Sequence, residues 1–201
     1  LAVTFTNKAA REMQQRAAKL TPKPPVGDNG RPQKPTICTF HSLCVRILRR
    51  HIEKLGYKRN FVIYNESEQL GVVKKILSAI SGKDVKADPR ELHSLLSKIK
   101  NAGTNGTVLG SEEAVAMADH IRGRYDTALK ASNAVDFDDL LVLTLRLFEE
   151  FPEVLEECRA RYQFVMVDEY QDTNAAQFAL VRALAGEHRN LCVVGDDDQS
   201  I

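Results

Sequence analysis

At 201 residues, 43% hydrophobic and 27% charged, the chain is long enough to bury the core of one domain or one and a half, with the make-up of a soluble globular protein. No apolar run approaches the roughly 20 residues that cross a bilayer, no signal peptide is visible, and Cys38, Cys44, Cys158 and Cys192 lack metal-ligand spacing, which points to free thiols in a reducing cytoplasm. The net charge of +1 hides an asymmetry: Leu1 to Tyr64 carries 13 Lys+Arg against Glu12, Asp28 and Glu53, while the rest holds 15 Lys+Arg and 24 Asp+Glu.

The basic first third, which suits either a solvated face or a phosphate backbone, opens on a strand. Leu1 to Thr6 alternates apolar residues with Thr, and Asn7 can cap a helix from Lys8 to Leu20 with Ala9, Met13, Ala17 and Leu20 on one face. Thr21 to Pro35 holds five of the seven prolines with Gly27 and Gly30, and reads as a loop or disordered linker. Thr36 to Thr39 makes a second strand. Phe40 to Leu55 follows as an amphipathic helix, with Leu43, Ile47 and Leu48 inward and Arg46, Arg49 and Arg50 outward, until Gly56 stops it.

From Asn60 to Asn133 the pattern changes to helices only: Glu66 to Ile80, Pro89 to Lys100 and Ser111 to Ala131, with a loop over Asn101 to Gly106. Asp88 before Pro89 is a helix start. This block shows no catalytic constellation, and His93 and His120 read as surface or partly buried histidines. Asp136 to Glu150 is again a helix. The apolar run Phe164 to Val167, a helix from Ala175 to Ala185 and the strand Leu191 to Val194 complete an alternation of strands and helices that implies a mostly parallel sheet.

The chemistry gathers at the ends of the last two strands. Phe164 to Val167 delivers adjacent carboxylates, Asp168 and Glu169, to the edge of a parallel sheet where ligands bind. Acids can simply end a strand. Neighbouring acids also suit nucleotide hydrolysis, one holding Mg²⁺ while the other orients or deprotonates the attacking water. Leu191 to Val194 carries Gly195, Asp196 and Gln199 to a similar edge, where a Gln can donate to a γ-phosphate.

Five segments in order carry a resemblance to the superfamily 1 helicases of the UvrD/Rep/PcrA type, over nearly the whole chain. Asp168-Glu-Tyr-Gln-Asp-Thr-Asn174 is similar to the family's Walker B segment, and Val194-Gly-Asp-Asp-Asp-Gln-Ser-Ile201 to its motif III. Ala2 to Met13 resembles motif Ia, and Thr39-Phe-His-Ser-Leu43 motif Ib. Asp136-Phe-Asp-Asp-Leu-Leu141 resembles a further segment upstream of Walker B.

The resemblance implies an α/β fold: a RecA-like, mostly parallel sheet flanked by helices, with an all-helical insertion subdomain. The expected division is 1–59 and 134–201 for the motor domain, with 60–133 as the insertion. It further implies ATP and Mg²⁺ as cofactors and 3′-to-5′ movement on single-stranded DNA and its junctions with duplex, in replication or repair, alongside repair or replication proteins and away from membranes. Asp168 is the expected Mg²⁺ ligand, Glu169 the catalytic base and Gln199 the γ-phosphate contact. Phe5, Thr6, Asn7, Thr39, Phe40 and His41 are the expected DNA contacts, although Phe5 and Phe40 taken singly also suit a core.

Two further features bear on that resemblance. The phosphate loop G-x-x-x-x-G-K-[ST] occurs nowhere in these residues, so the chain is expected to be an inactive piece of a longer protein. Asp197 makes three consecutive acids with Asp196 and Asp198, which repel phosphate unless a cation compensates, so Asp197 is expected to point outward. The competing readings are a non-catalytic single-strand-binding module and a helicase subunit of a RecB/AddA-like nuclease.

Overall fold

The computed structural model describes residues 1–20, 34–80, 88–101, 110–196 and 198. In chain order its elements are β1 (Ala2–Thr4), α1 (Asn7–Leu20), β2 (Ile37–Thr39), α2 (Phe40–His51), β3 (Val62–Ile63), α3 (Glu66–Ile80), α4 (Pro89–Asn101) and α5 (Glu112–Ala131). There follow β4 (Ala134–Val135), α6 (Phe137–Glu150), α7 (Pro152–Arg161), β5 (Val165–Val167), α8 (Ala175–Ala185) and β6 (Leu191–Val193).

Four short strands pair in parallel in the order β2-β1-β5-β6, with Val3 opposite both Cys38 and Val167. Right-handed crossovers settle where the helices go. The step from β1 to β2 and the steps from β2 to β5 and β5 to β6 run in opposite directions, so α1 lies on one face and α2, α6, α7 and α8 on the other. On that second face α2, α6, α7 and α8 close over Val3, Cys38, Val165 and Val167, through Leu43, Ile47, Leu140, Leu147, Leu180 and Leu184. Burying each such side chain contributes about 1.5–3 kcal/mol.

Alternation along β5 reports the contrast between faces. Val165 and Val167 are buried while Met166 between them is 41% exposed. On its own face α1 packs on β1 and β2, and Gln14 Nε2 donates to the Ile37 carbonyl (2.7 Å). No residue of the apolar face expected on α1 is buried: Ala9, Met13 and Ala17 are half-buried, Leu20 is 83% exposed at the helix end, and the buried residue is Ala10 beside them. At the opposite edge, β6 leaves Leu191 and Val193 exposed.

A second core is built by α3, α4 and α5 around Val73, Leu77, Leu92, Leu96, Ile121, Tyr125 and Leu129. The expectation of helices alone over 60–133 is corrected at its base. There β3 and β4 pair in parallel, Val62 opposite Ala134 and Ile63 opposite Val135, and tie the two ends of the helical block together. Asn133 holds this junction from a left-handed backbone (φ 48°), which Asn tolerates, by accepting from the Lys58 amide (2.8 Å). The helix α2 tightens into a 3₁₀ turn over Ile52–Leu55 and ends at Gly56, whose φ of 79° is left-handed as a C-terminal stop requires. Residues 152–161, to which the sequence assigned no element, form α7 behind Pro152 at its first position.

Candidate functional site

Parallel pairing puts all four strand ends at one edge of the sheet. Along that edge lie Thr39 at the end of β2 with Phe40 and His41 after it, Phe5-Thr6-Asn7 after β1, Asp168-Glu169 after β5 and Val194 to Asp196 after β6. The candidate hydrolytic and nucleic-acid residues are therefore neighbours, with β1 between them. Gln199 and Asp197 fall outside the described residues.

At the hydrolytic end the ladder continues one residue past β5: the Asp168 amide donates to the Val3 carbonyl (3.0 Å). The half-buried Asp168 carboxylate lies 3.5 Å from the hydroxyl of buried Thr4. Glu169 then adopts φ 53°, ψ 46°, a left-handed conformation that costs a non-glycine residue about 1–3 kcal/mol. That turn swings the chain away from the strand into a 3₁₀ turn, Tyr170–Asp172, and leaves the Glu169 carboxylate exposed at the sheet edge.

Gln171, which the sequence reading did not single out, links the two acidic strand ends. Its Nε2 donates to Glu169 Oε2 (2.7 Å), and its Oε1 accepts from the Asp196 amide (3.1 Å). The Tyr170 amide donates to the Val194 carbonyl (2.9 Å) and closes the same junction. Gly195 permits this approach, because a Cβ there sits 2.7 Å from Gln171 Oε1. The substitution Gly195→Ala is accordingly expected to push the Gln171 side chain off Asp196. Losing that one neutral hydrogen bond should cost about 0.5–1.5 kcal/mol of stability, read as a lowered urea midpoint with the fold retained by circular dichroism.

The opposite end of the edge is aromatic. Phe5, half-buried, meets Phe40 edge-on with centroids 5.4 Å apart, and Phe40 itself is only 1% exposed. Phe40 is thus a core ring that backs Phe5. Thr39 is also buried and caps α2, accepting from the Ser42 amide (3.1 Å). Thr6 takes the capping role that the sequence assigned to Asn7, accepting from the Ala9 amide (3.1 Å), so Asn7 becomes the first, exposed residue of α1. Four of the six residues therefore offer surface: Phe5, Thr6, Asn7 and His41.

His41 stacks on Phe137, with centroids 3.9 Å apart and 27° between planes. Phe137 is 54% exposed, and it escaped the sequence reading because it stands among acids at a helix start. An aromatic at the first helical position, where no core face yet exists, was the signal available. Burial lowers the His41 pKa below its ordinary value, opposed by Asp138, which leaves a neutral ring at neutral pH.

Residues 1–201, the whole chain, match the family described as the UvrD/Rep helicase N-terminal domain. The chain belongs to this helicase family. It is 43% identical over 204 residues to the ATP-dependent DNA helicase PcrA of Staphylococcus aureus (strain Mu50), and 44% identical over 205 residues to that of Bacillus subtilis (strain 168). Both alignments cover 100% of this chain and 27% of the relative, so the chain spans about a quarter of the length of these helicases. Among the described residues no helix is long and apolar enough to cross a membrane.

As to metal, no cluster of three or more His, Cys, Asp or Glu suited to a metal occurs among the described residues. Mg²⁺ binds through one or two carboxylates and keeps several waters. Asp168, half-buried at the strand end, is the residue that can serve it.

Proposed function

We propose that this chain supplies the Walker B and motif III side of an ATP hydrolysis site, together with part of a single-stranded DNA surface, in a cytoplasmic helicase that moves 3′ to 5′ during replication or repair. The carrying observation is the strand-end pair Asp168–Glu169, with Glu169 held left-handed and bonded through Gln171 to the β6 junction. In this reading the motor domain comprises 1–59 and 134–201, with 60–133 as its helical insertion.

Asp168 holds Mg²⁺, which supplies charge neutralisation at the transferred phosphoryl group. Glu169 accepts the proton of the attacking water, and its exposed carboxylate leaves room for one. Gln199 contacts the γ-phosphate, and Gln171 keeps the Glu169 carboxylate aimed. Loss of the γ-phosphate reaches DNA through β1, which lies directly beside β5 and carries Phe5 at its end.

On the DNA side, Phe5 and the His41–Phe137 pair offer faces to bases, Thr6 and Asn7 offer polar groups to the backbone, and Phe40 and Thr39 support them from the core. Stacking is worth about 1–3 kcal/mol per base and ignores sequence, which suits a motor. Phe5→Ala and Phe137→Ala in the complete protein are each expected to weaken single-strand affinity by about 5- to 100-fold. The check is a fluorescence-anisotropy titration at two salt concentrations alongside DNA-stimulated ATP turnover. Unchanged affinity and unchanged stimulation in both variants would put the DNA elsewhere, and turnover without DNA dependence would remove the motor from this reading.

A further inference from the structure

Between the two cores lies a charged cluster for which the hydrolysis and DNA readings have no use. Lys100, near the end of α4, has a side chain only 3% exposed. Its ammonium contacts Asp136 Oδ2 (2.7 Å), Asp139 Oδ1 (2.6 Å) and Asp126 Oδ1 (3.3 Å). The Tyr125 hydroxyl from α5 donates to the same Asp136 oxygen (3.1 Å), and Asn101 Nδ2 donates to Asp138 Oδ1 (2.7 Å).

Apart from Asp126, which belongs to α5, these carboxylates form the start of α6. Asp136 is its N-cap, locked to Asp139 by a reciprocal capping box (Asp139 amide to Asp136 Oδ1, 2.7 Å; Asp136 amide to Asp139 Oδ2, 3.1 Å), and Asp138 stands between them. So α4 and α5 grip three of the four residues 136–139 by directed polar bonds. The fourth, Phe137, projects to solvent and stacks on His41.

A buried ion cluster is a poor way to gain stability, since apolar residues of similar volume do as well or better. What directed bonds add is orientation. Apolar packing tolerates rotation of α6 about its axis, whereas three carboxylates held from two helices do not.

We propose that Lys100, with Tyr125 and Asn101, is a positioning residue that fixes the first turn of α6, so that the Phe137–His41 pair presents its face to a DNA base. The grip on single-stranded DNA then depends on how the helical block 60–133 sits on the motor domain. This inference rests on the DNA reading above.

The test is a double-mutant cycle in the complete protein, with oligonucleotides carrying 2-aminopurine as the stacking probe. Tyr125→Phe removes one bond to Asp136 and leaves the Lys100 pairs in place. Lys100→Met removes the hub. Each is expected to weaken single-strand binding, by about three-fold and about ten-fold, with a matching loss of 2-aminopurine quenching. Maximal turnover at saturating DNA should stay unchanged while the DNA concentration for half-stimulation rises. In a Phe137→Ala background both losses should vanish. If they persist there in full, or if both variants bind and quench like the parent protein, the positioning role is overturned. If Phe137→Ala alone changes nothing, the DNA reading at this edge falls and takes the inference with it. Should Lys100→Met not fold, the Tyr125→Phe arm decides by the same criteria.

Discussion

Glu169→Gln in the complete protein is expected to lower ATP turnover by about 10²- to 10⁴-fold, the usual worth of a general base, while nucleotide affinity stays within about threefold. The substitution is close to isosteric, and the local geometry survives it. Gln at this position retains an oxygen that accepts from Gln171 Nε2, the bond now made by Glu169 Oε2 at 2.7 Å, and its backbone meets the same left-handed turn at the same cost. What disappears is the group able to take a proton from water. Asp168→Asn is the contrasting variant. It should weaken nucleotide binding chiefly when Mg²⁺ is present, because in the proposed site the lost charge is the one that holds the metal. Single-turnover hydrolysis and binding of a fluorescent nucleotide measure the two quantities separately. Turnover within a few-fold of the parent in Glu169→Gln would remove this residue from the role of base.

What made the strand-end acids legible was their position behind short Val-rich runs. A buried parallel strand reads as continuous apolar sequence, and in such a sheet the residue after it must lie at the ligand edge. Helix limits were legible where caps are local. The spans Glu66–Ile80 and Ala175–Ala185 agree to the residue, and the second is closed by a box between Asn174 and Gln177, three residues apart. Thr6 against Asn7 shows the limit of that rule. Both residue types cap helices, and the choice fell to the one at which the chain leaves β1.

Three other features depended on partners distant in the chain. The β3–β4 pair has two residues a side, too few for a period, and Val62 and Ile63 are exposed, so nothing in their own neighbourhood marks a strand. Phe137 stands among acids at a helix start, and its stacking partner, His41, lies 96 positions earlier in the chain. Lys100 resembles any surface lysine near a helix end; only the folded chain brings Asp126, Asp136 and Asp139 to it.

Lys100→Met is the substitution expected to cost the most stability, about 3–5 kcal/mol at neutral pH, the usual penalty for removing one partner of a buried pair. The loss comes from what stays behind: Asp136, 3% exposed, and Asp139, 7% exposed, would face each other across the capping box without a cation. Its pH dependence identifies the cause. Burial pushes the Asp139 carboxyl up to about 6, Lys100 opposing and Asp136 assisting. Burial works against the Lys100 ammonium too, but Asp139, Asp136 and Asp126 outweigh it and hold that group charged well above the ordinary lysine range.

For Asp139 the folded value lies above the unfolded one of about 3.9. Its contribution is therefore fully present below about pH 4 and is lost as pH rises through about 6. The Lys100 contribution is present throughout this window and fades only in strong alkali. Removing the ammonium takes away the charge that holds Asp139 down, so its folded value climbs further and the variant loses more stability between pH 5 and 8 than the parent does. The deficit of Lys100→Met should thus be largest near pH 8 and shrink toward pH 5, where protonation of Asp139 relieves the unpaired charge. Adding Asp139→Asn should recover part of it at pH 8 and little at pH 5. Urea denaturation at both pH values, with hydrogen exchange of the α6 amides to localise the change, makes the measurement. A deficit that is below about 1 kcal/mol at pH 8, or equal at both pH values, would mean that Lys100 is not the charge on which this junction depends.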